Sequence, residues 1–364
     1  MGGKVVAAEP IGKRPEAGAG YAGDGPGLII PVGCGAVAAV VMCERRGGFA
    51  KPLLFGVKLL ITAACFWLVL RRVDVSGGFR ALPRFDYRWA GFAVLVLVAE
   101  IPLVALRIRA IVQVLARDST RLTFAAANAV TAICGFFGQV VPGVVGEGIR
   151  AWFLVRLGCS WREALTSVTI DRCVGVGALF AFSFVILLLP SPLNALAGYR
   201  DVVMVGFGGA LVVGVLALVF AAAIASFLRL WRYSSWIASF PVDARRVLFG
   251  RKAAGIFTAA GLLHGMTIVA VWAVSRALGF SLSAYDCAVL FSLMVGVAII
   301  PISVGGWGLR ELAVVSLLDA HGVAAEAALM FSLCFGAVVL VSALPGGVVW
   351  LLYLLPENDG HAPV

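Results

Sequence analysis

Long apolar runs separated by short charged segments make up most of this chain. A helix needs about 17–25 apolar residues to cross the hydrocarbon core of a bilayer. Six runs meet this length: residues 53–70, 89–106, 168–189, 202–227, 253–274 and 324–355. The pattern therefore predicts an all-α polytopic membrane protein with about six full transmembrane helices, the last of them bent at Pro345.

Two further apolar runs are interrupted by proline and glycine. They contain the stretches "VPGVVGEGIR" (141–150) and "IPISVGGWGLR" (300–310), and each stretch closes on an arginine. Proline removes a helical hydrogen bond and glycine is a poor helix former, so we expect both helices to break. The break residues are Pro142, Gly146, Gly148, Pro301, Gly305, Gly306 and Gly308. Each run is predicted to enter the membrane and return as a re-entrant helical hairpin.

The order of these elements suggests an internal repeat. Residues 51–190 and residues 202–355 each contain two spans, a hairpin and a final span, and the first half starts inside whereas the second starts outside. The arginines that close the two breaks, Arg150 and Arg310, are about 160 residues apart. This is an inverted-topology repeat, which is typical of secondary transporters. The alternative is that both breaks are ordinary kinks in apolar helices.

Composition and charge agree with a membrane protein. The 364 residues are 62% hydrophobic and only 13% charged, whereas soluble domains have about a quarter charged residues. The net charge of +10 comes mostly from arginines in short loops, which indicates cytoplasmic loops and anionic lipid rather than nucleic acid. Residues 229–252 read as a cytoplasmic interfacial helix. The predicted topology places residues 71–88 on the outer side of the membrane, although their five arginines favour the cytoplasmic side. We expect a multi-pass protein of the cell membrane.

The ends of the chain and its cysteines indicate little chemistry. Residues 1–50 are expected to be a disordered or weakly interfacial extension, in which residues 27–43 could form an extra helix, and residues 356–364 a short tail. The eight cysteines are scattered without a CxxC pair, and the chain has three histidines. We therefore expect no metal site and no cofactor.

Six charged residues follow the breaks or enter the next span: Glu147, Arg150, Asp171, Arg172, Arg310 and Glu311. A charge at bilayer depth costs about 2.5–3.5 kcal/mol on insertion scales, so these groups must pair, line a wet cavity or lie at the interface. A guanidinium beside the free N–H groups of a helix start suits a phosphate, here one in a lipid head group. The alternative is that they only anchor the hairpins in interfacial water.

Spacing predicts some of the pairing. Glu147 and Arg150 are three residues apart and share a helix face. The sequence neighbours Asp171 and Arg172, like Arg310 and Glu311, are expected to turn to different partners.

Glu100 stands apart from these charges, because it lies in the middle of the second span. It could carry a coupled proton. Alternatively, it is a hydrogen-bonded packing partner of Arg107 or of a hydroxyl.

Three stretches carry a resemblance to a known family: "NAVTAICGFFGQVVPGVVGEGIRAWFLVRLG", "DRCVGV" and "PISVGGWGLRELAVVSLL". In this order they resemble the lysylphosphatidylglycerol synthase transmembrane region family, also called flippase-like membrane proteins, over roughly residues 53–355. The matching positions are Pro142, Gly146, Glu147, Arg150, Asp171, Arg172, Pro301, Gly305, Gly306, Gly308, Arg310 and Glu311. The chain departs from the family pattern at Val145, where glycine is common, and at Glu147, where aspartate is frequent.

The resemblance implies translocation of an anionic, aminoacylated or glycosylated lipid between leaflets, without the aminoacyl-transferase domain of the founding members. The expected partners are membrane lipids and a lipid-modifying enzyme, and the oligomeric state stays open. The alternative is an enzyme, or its membrane subunit, that transfers a lipid head group or a polyprenyl-phosphate-linked sugar. That alternative lacks a DxD, an HExxH and a nucleophile elbow in the sequence. A third hypothesis is that the protein is a scaffold for neighbouring enzymes.

Overall fold

The computed structural model describes residues 85–116, 122–140, 145–189, 200–230, 235–299, 308–319 and 322–354. Within these ranges the chain forms helices and no strands, which confirms the predicted all-α polytopic class. The predicted first span, the N-terminal extension and the short C-terminal tail lie outside the described residues.

Eleven helices lie in the described ranges. They are α1 (Tyr87–Leu115), α2 (Phe124–Val140), α3 (Val145–Arg156), α4 (Trp161–Leu188), α5 (Arg200–Val219), α6 (Ala221–Leu230), α7 (Ser235–Leu248), α8 (Ala253–Ala277), α9 (Ala284–Ile299), α10 (Leu309–Asp319) and α11 (Ala325–Leu354).

Four of the described helices are long and apolar enough to cross a membrane, namely α1, α4, α8 and α11. The pair α5 and α6 makes a fifth span if the two count as one, although they are bent by 74°. The predicted span over residues 202–227 corresponds to this bent pair rather than to a single continuous helix. The bend at Phe220 follows from packing, because α5 lies along α4 whereas α6 packs against α7.

Two other helix boundaries differ from the hydrophobic pattern. Helix α1 continues nine residues beyond residue 106, with Arg107 and Arg109 inside it. Helix α4 starts seven residues before residue 168, because the Ser160 hydroxyl accepts a hydrogen bond from the Glu163 N–H and the Glu163 carboxylate accepts one from the Ser160 N–H. This capping box satisfies backbone donors that a helix start otherwise leaves unpaired.

Both predicted breaks separate a pair of packed helices. Helices α2 and α3 flank residues 141–144, helices α9 and α10 flank residues 300–307, and the partners of each pair contact one another. A Cβ on Gly146 would lie 2.9 Å from the Cys134 carbonyl oxygen and 3.0 Å from the Gly138 Cα, so only glycine allows this approach. Gly148 lies within α3. Pro142, Pro301, Gly305 and Gly306 lie outside the described residues, and the re-entrant path stays a prediction.

The packing of helices is repeated between the two halves of the chain. In the first half, α1 contacts α2 and α4, α2 contacts α3, and α3 contacts α4. In the second half, α8 contacts α9 and α11, α9 contacts α10, and α10 contacts α11 in the same order. The last long helix of each half also packs on the other half. Helix α11 contacts α2 and α1, and α4 makes the corresponding contacts with α9 and α8. Helices α1 and α8 pack against each other extensively at the centre. The pattern supports an internal repeat, whose inverted orientation stays a prediction.

Two apolar clusters lie in the interior of the part of the chain that the structure describes. One joins the first turns of α1 to the end of α8 and to α9, α10 and α11, around the fully buried Phe331 and Leu290. The other joins the last turns of α1 to α4, α7 and the start of α8, around Ile111, Ile170 and Val247. Along α1 and α8 the stretch between these clusters carries polar side chains, so these two helices have a polar layer between two apolar ones, and Asp171 of α4 lies beside it next to Ile170.

We predict that Gly346→Ala destabilises the protein by about 1–3 kcal/mol, the usual cost of overpacking. A Cβ on Gly346 of α11 would collide with the backbone carbonyl of Ala132 on α2, which cannot move as a side chain can. Gly261→Ala on α8 is the matched control, because its Cβ would meet nothing within 4 Å. Thermal unfolding in detergent measures both. Equal midpoints for the two variants would show that the α2–α11 contact is not tight.

Candidate functional site

Five charged side chains from three helices meet in the polar layer. Arg107 comes from α1, Glu147 and Arg150 from α3, and Asp171 and Arg172 from α4. We call these five residues the charged cluster. Four of them are predicted site residues, so the structure brings the first-half prediction together and adds Arg107.

Asp171 is the central acceptor of the charged cluster. Its side chain is almost fully buried, and Arg107 binds it through two bonds, with Nε 2.7 Å from Oδ1 and Nη2 3.1 Å from Oδ2. Arg150 adds a third bond from Nη1 to Oδ2 at 3.3 Å. Asp171 lies ten residues into α4, roughly 15 Å from its first residue, so the pairing is deep in the bundle rather than at its end.

Arg150 and Arg172 link the hairpin to α4 through Glu147. The Arg150 Nη1 lies 3.4 Å from the Glu147 Oε2, which confirms the predicted pairing of these residues on α3. Arg172 forms an ion pair with the Glu147 Oε1. Asp171 and Arg172 therefore turn to different partners, as predicted.

The charged cluster carries more positive charge than its carboxylates can balance. With all five groups ionised, three guanidinium groups face two carboxylates, which leaves one unit of positive charge. The Arg150 Nε–H is buried and has no hydrogen-bond partner among the described residues, and the same is true of the buried Thr131 hydroxyl on α2. The Glu147 Oε2 also lacks a hydrogen-bond partner there, although it lies 3.4 Å from the Arg150 Nη1, and each unsatisfied buried polar group costs about 1–3 kcal/mol.

One side of the charged cluster is open. The Arg172 side chain is 61% exposed and its neighbour Cys173 is exposed too, whereas Asp171 and Arg150 are buried. The opening therefore lies on the outer side of α4, where Leu165 also presents apolar surface.

Arg310 and Glu311 form a separate cluster in the second half. The Arg310 Nε donates to the Glu311 Oε1 at 2.9 Å, so the expectation that these neighbours turn apart is wrong. The reason is the helix start: Glu311 is the third residue of α10 and its Oε2 accepts from the Gly308 N–H at 2.6 Å. The Ser332 hydroxyl on α11 also donates to Glu311, which is fully buried.

Gly308 shows why the second break needs glycine immediately before α10. Its φ of 82° lies in the left-handed region that residues with a Cβ rarely adopt. The expected convergence of Arg150, Arg172 and Arg310 on one head group stays a prediction, because the structure gives Arg310 partners in α10 and α11.

Glu100 lies against α8. The Thr267 hydroxyl lies 2.8 Å from the Glu100 Oε1, so of the two packing partners considered for Glu100 it contacts a hydroxyl and not Arg107. One turn earlier on α8, the His264 Nε2 lies 3.1 Å from the Gly175 carbonyl oxygen of α4. These residues continue the polar layer from the charged cluster toward the centre of α1.

Arg107 is the site residue that sequence reasoning missed. It directly follows an apolar run, so it read as the cytoplasmic end of a span, although α1 continues past it. The sequence did contain one signal, namely Asp171, an acidic residue inside another apolar run. A carboxylate buried there needs cationic partners, and Arg107 and Arg150 are both such partners.

The remaining polar chemistry in the described residues is limited. No three His, Cys, Asp or Glu side chains in these ranges lie together as metal ligands. Between α3 and α4, burial and, to a smaller extent, the nearby charge of Glu163 raise the pKa of the Cys159 thiol to about 11. This thiol is therefore protonated at neutral pH and unreactive as a nucleophile.

The comparisons with known proteins identify one family. The family model described as "Lysylphosphatidylglycerol synthase TM region" matches residues 55–346, which include the charged cluster and both breaks. Comparison with curated proteins and with solved structures returns no significant match.

We predict that Asp171→Asn destabilises the fold by about 3–5 kcal/mol, the usual cost of removing one partner from a buried ion pair. The change leaves Arg107 and Arg150 buried without their shared carboxylate. Chemical unfolding in detergent measures the loss.

Two controls make this test specific. The double variant Arg107→Gln/Asp171→Asn restores the net charge of the cluster and should recover part of the loss. Asp243→Asn breaks a pair with the half-exposed Arg162 and should cost under about 1 kcal/mol. If Asp171→Asn costs no more than Asp243→Asn, the charged cluster does not hold α1, α3 and α4 together.

Proposed function

Because the chain belongs to the lysylphosphatidylglycerol synthase TM region family, we propose that it is a lipid translocase of the cell membrane. Its substrate is an anionic lipid, with an aminoacylated or glycosylated head group as the further possibility that the family resemblance implies. A lipid-modifying enzyme would then supply or consume that head group. The family match and the apolar helices show a multi-pass membrane protein of a lipid-related family.

The observation that carries the proposal is the unbalanced charge of the charged cluster. A bilayer interior tolerates ionised groups only where they pair or contact water. Here two carboxylates are shared by three guanidinium groups, and one guanidinium N–H stays unpartnered among the described residues. A single negative charge with several acceptor oxygens, such as a phosphodiester, satisfies both deficits at once, since guanidinium binds phosphate through paired hydrogen bonds.

The open side of the charged cluster favours a lipid over a soluble anion. Arg172 is exposed on α4, and the exposed apolar Leu165, seven residues earlier, lies on the same face of that helix. A ligand that approaches there needs a hydrocarbon part that is compatible with this surface. A lipid supplies that part, with its head group reaching Arg172 and its chains remaining beside α4.

The repeated packing supports a mechanism in which one half moves against the other. The extensive contact of α1 with α8 joins the two halves, and each half carries a hairpin packed on its last long helix. In the proposed cycle the halves rock about this contact. Glu147, Arg150, Asp171 and Arg172 bind the head group, and Arg310 with Glu311 completes the site from the second hairpin.

We predict that Arg172→Gln slows translocation of an anionic lipid roughly 10- to 150-fold, because a hydrogen bond to a charged group contributes about 1.5–3 kcal/mol. The measurement uses proteoliposomes that contain fluorescently labelled phosphatidylglycerol and an impermeant quencher. Arg172 is chosen because its exposed side chain makes the variant compatible with folding.

Arg156→Gln is the matched control. Arg156 ends α3 and lies over the Trp152 ring at 5.0 Å, outside the charged cluster, so transport should remain at the wild-type rate. Equal slowing by both variants would argue against a head-group site at Arg172. Transport of labelled phosphatidylcholine at the same rate as phosphatidylglycerol would contradict the anionic specificity.

A further inference from the structure

We infer that the protein takes up one proton, at Glu100, for each anionic head group that the charged cluster binds. The inference rests on the proposed function and adds a coupling ion to it. It depends on the geometry around Glu100 and on the charge of the polar layer.

Glu100 lies near the middle of a long helix. It is 13 residues after Tyr87 and 15 residues before Leu115, so at 1.5 Å per residue it is roughly 20 Å from either end of α1. Its side chain is half-buried, and it forms no ion pair within the described part of the chain. A carboxyl group in this position and without a cation is a candidate proton carrier.

The Thr267 hydroxyl allows Glu100 to exist in both protonation states. Its Oγ lies 2.8 Å from the Glu100 Oε1 and 3.0 Å from the Leu263 carbonyl oxygen. A hydroxyl has one proton to donate and lone pairs to accept. When Glu100 is ionised, Thr267 donates to it. When Glu100 is protonated, it donates to Thr267, which then donates to Leu263, and no heavy atom has to move.

The charge of the polar layer couples this proton to the ligand. Glu100 and Arg107 are seven residues apart on α1, which is about two turns and places them on the same face. Ionised Glu100 therefore balances the single excess positive charge of the charged cluster. A bound monoanionic head group supplies that balance instead, and an ionised Glu100 would then be an excess negative charge in a low-dielectric interior. Proton uptake by Glu100 restores neutrality.

His264 is the other titratable group beside this path. Its Nε2 lies next to the Gly175 carbonyl, and the Arg107 Nη2 lies 3.9 Å from where a Gly175 Cβ would be. A proton on His264 would place a second cation near Arg107, so the charge balance assigns the proton to Glu100.

The other helices that pack on α1 bring further ionisable groups to it. The ionisable residues away from the ends of these helices are Cys134 on α2, Asp171, Arg172 and Cys173 on α4, and Cys334 on α11. Near the Ile111 end of α1, α7 contributes Asp243, Arg245 and Arg246. The acidic residues among these have cationic partners already, since Asp171 pairs with Arg107 and Asp243 pairs with Arg162. Among the described carboxyl groups in the interiors of these helices, Glu100 is thus the one without a cationic partner, whereas Glu326 lies in the first turn of α11.

Calorimetric titration of the full chain in detergent tests the inference. The probe is dihexanoyl phosphatidylglycerol, a short-chain monoanion, and each titration is repeated in buffers of different ionisation enthalpy so that heat reports both binding and protons exchanged. Above neutral pH we expect uptake of about one proton per head group in the wild type. In Glu100→Gln we expect no uptake and, above neutral pH, a Kd at least about tenfold lower than the wild-type value, because the amide resembles the protonated carboxyl and the variant does not have to take up a proton to bind.

Three outcomes would overturn the inference in distinguishable ways. Binding without proton uptake in the wild type, or unchanged uptake in Glu100→Gln, removes the coupling and leaves the proposed function standing. Loss of uptake in His264→Gln but not in Glu100→Gln shows that the proton is carried by His264 instead. No binding by the wild type contradicts the proposed function and the coupling together. Glu326→Gln, in the first turn of α11, is the matched control and should keep wild-type uptake.

Discussion

The buried carboxylate of Asp171 is the constraint on which the first half of the bundle depends. A single aspartate accepts two hydrogen bonds from Arg107 and one from Arg150, and so joins α1, α3 and α4 where none of their backbones can form hydrogen bonds to one another. Without it, the Arg107 guanidinium would be buried without a counter-charge and Arg150 would keep only Glu147, a loss that is a large fraction of the modest stability typical of a folded protein. The same bonds explain why α1 continues past Arg107 and why the short helix α3 has a fixed position.

Apolar packing determines where this polar layer can lie. The two hydrophobic clusters occupy opposite ends of α1 and α8, and the polar side chains lie on the stretch between them. Close backbone approach fixes the hairpin elements, since Gly146 brings α3 against α2 and Gly346 brings α11 against α2. Glycine therefore has two roles in this fold: it breaks helices in sequence and it allows helices to approach in space.

The sequence predicted the helices well where hydrophobicity alone determines them and less well where a distant partner does. The bounds of α8 and α11 agree with the apolar runs at residues 253–274 and 324–355 to within a few residues. The end of α1 was placed too early because the charge of Arg107 is neutralised by a residue 64 positions away, which no local pattern reveals. The bend after α5 depends on the contact of α6 with α7, again a tertiary effect.

In the site, the spacing of Glu147 and Arg150 predicted their pairing. The pairing of Arg310 with Glu311 was missed because capping of α10 by Glu311, rather than side-chain direction along a helix, decides it.

The two halves share a packing plan but differ in charge, and this difference has a consequence for the mechanism. In the second half, Arg310 and Glu311 carry opposite charges, and the Glu311 oxygens accept bonds from Gly308, Arg310 and Ser332. In the first half, three guanidinium groups share two carboxylates. Under the proposed function, a bound anion would be stabilised mainly by the first half, and movement of that half relative to the second would carry the head group with it. The Arg310–Glu311 pair would then contact a passing head group without retaining it, as release of the substrate requires.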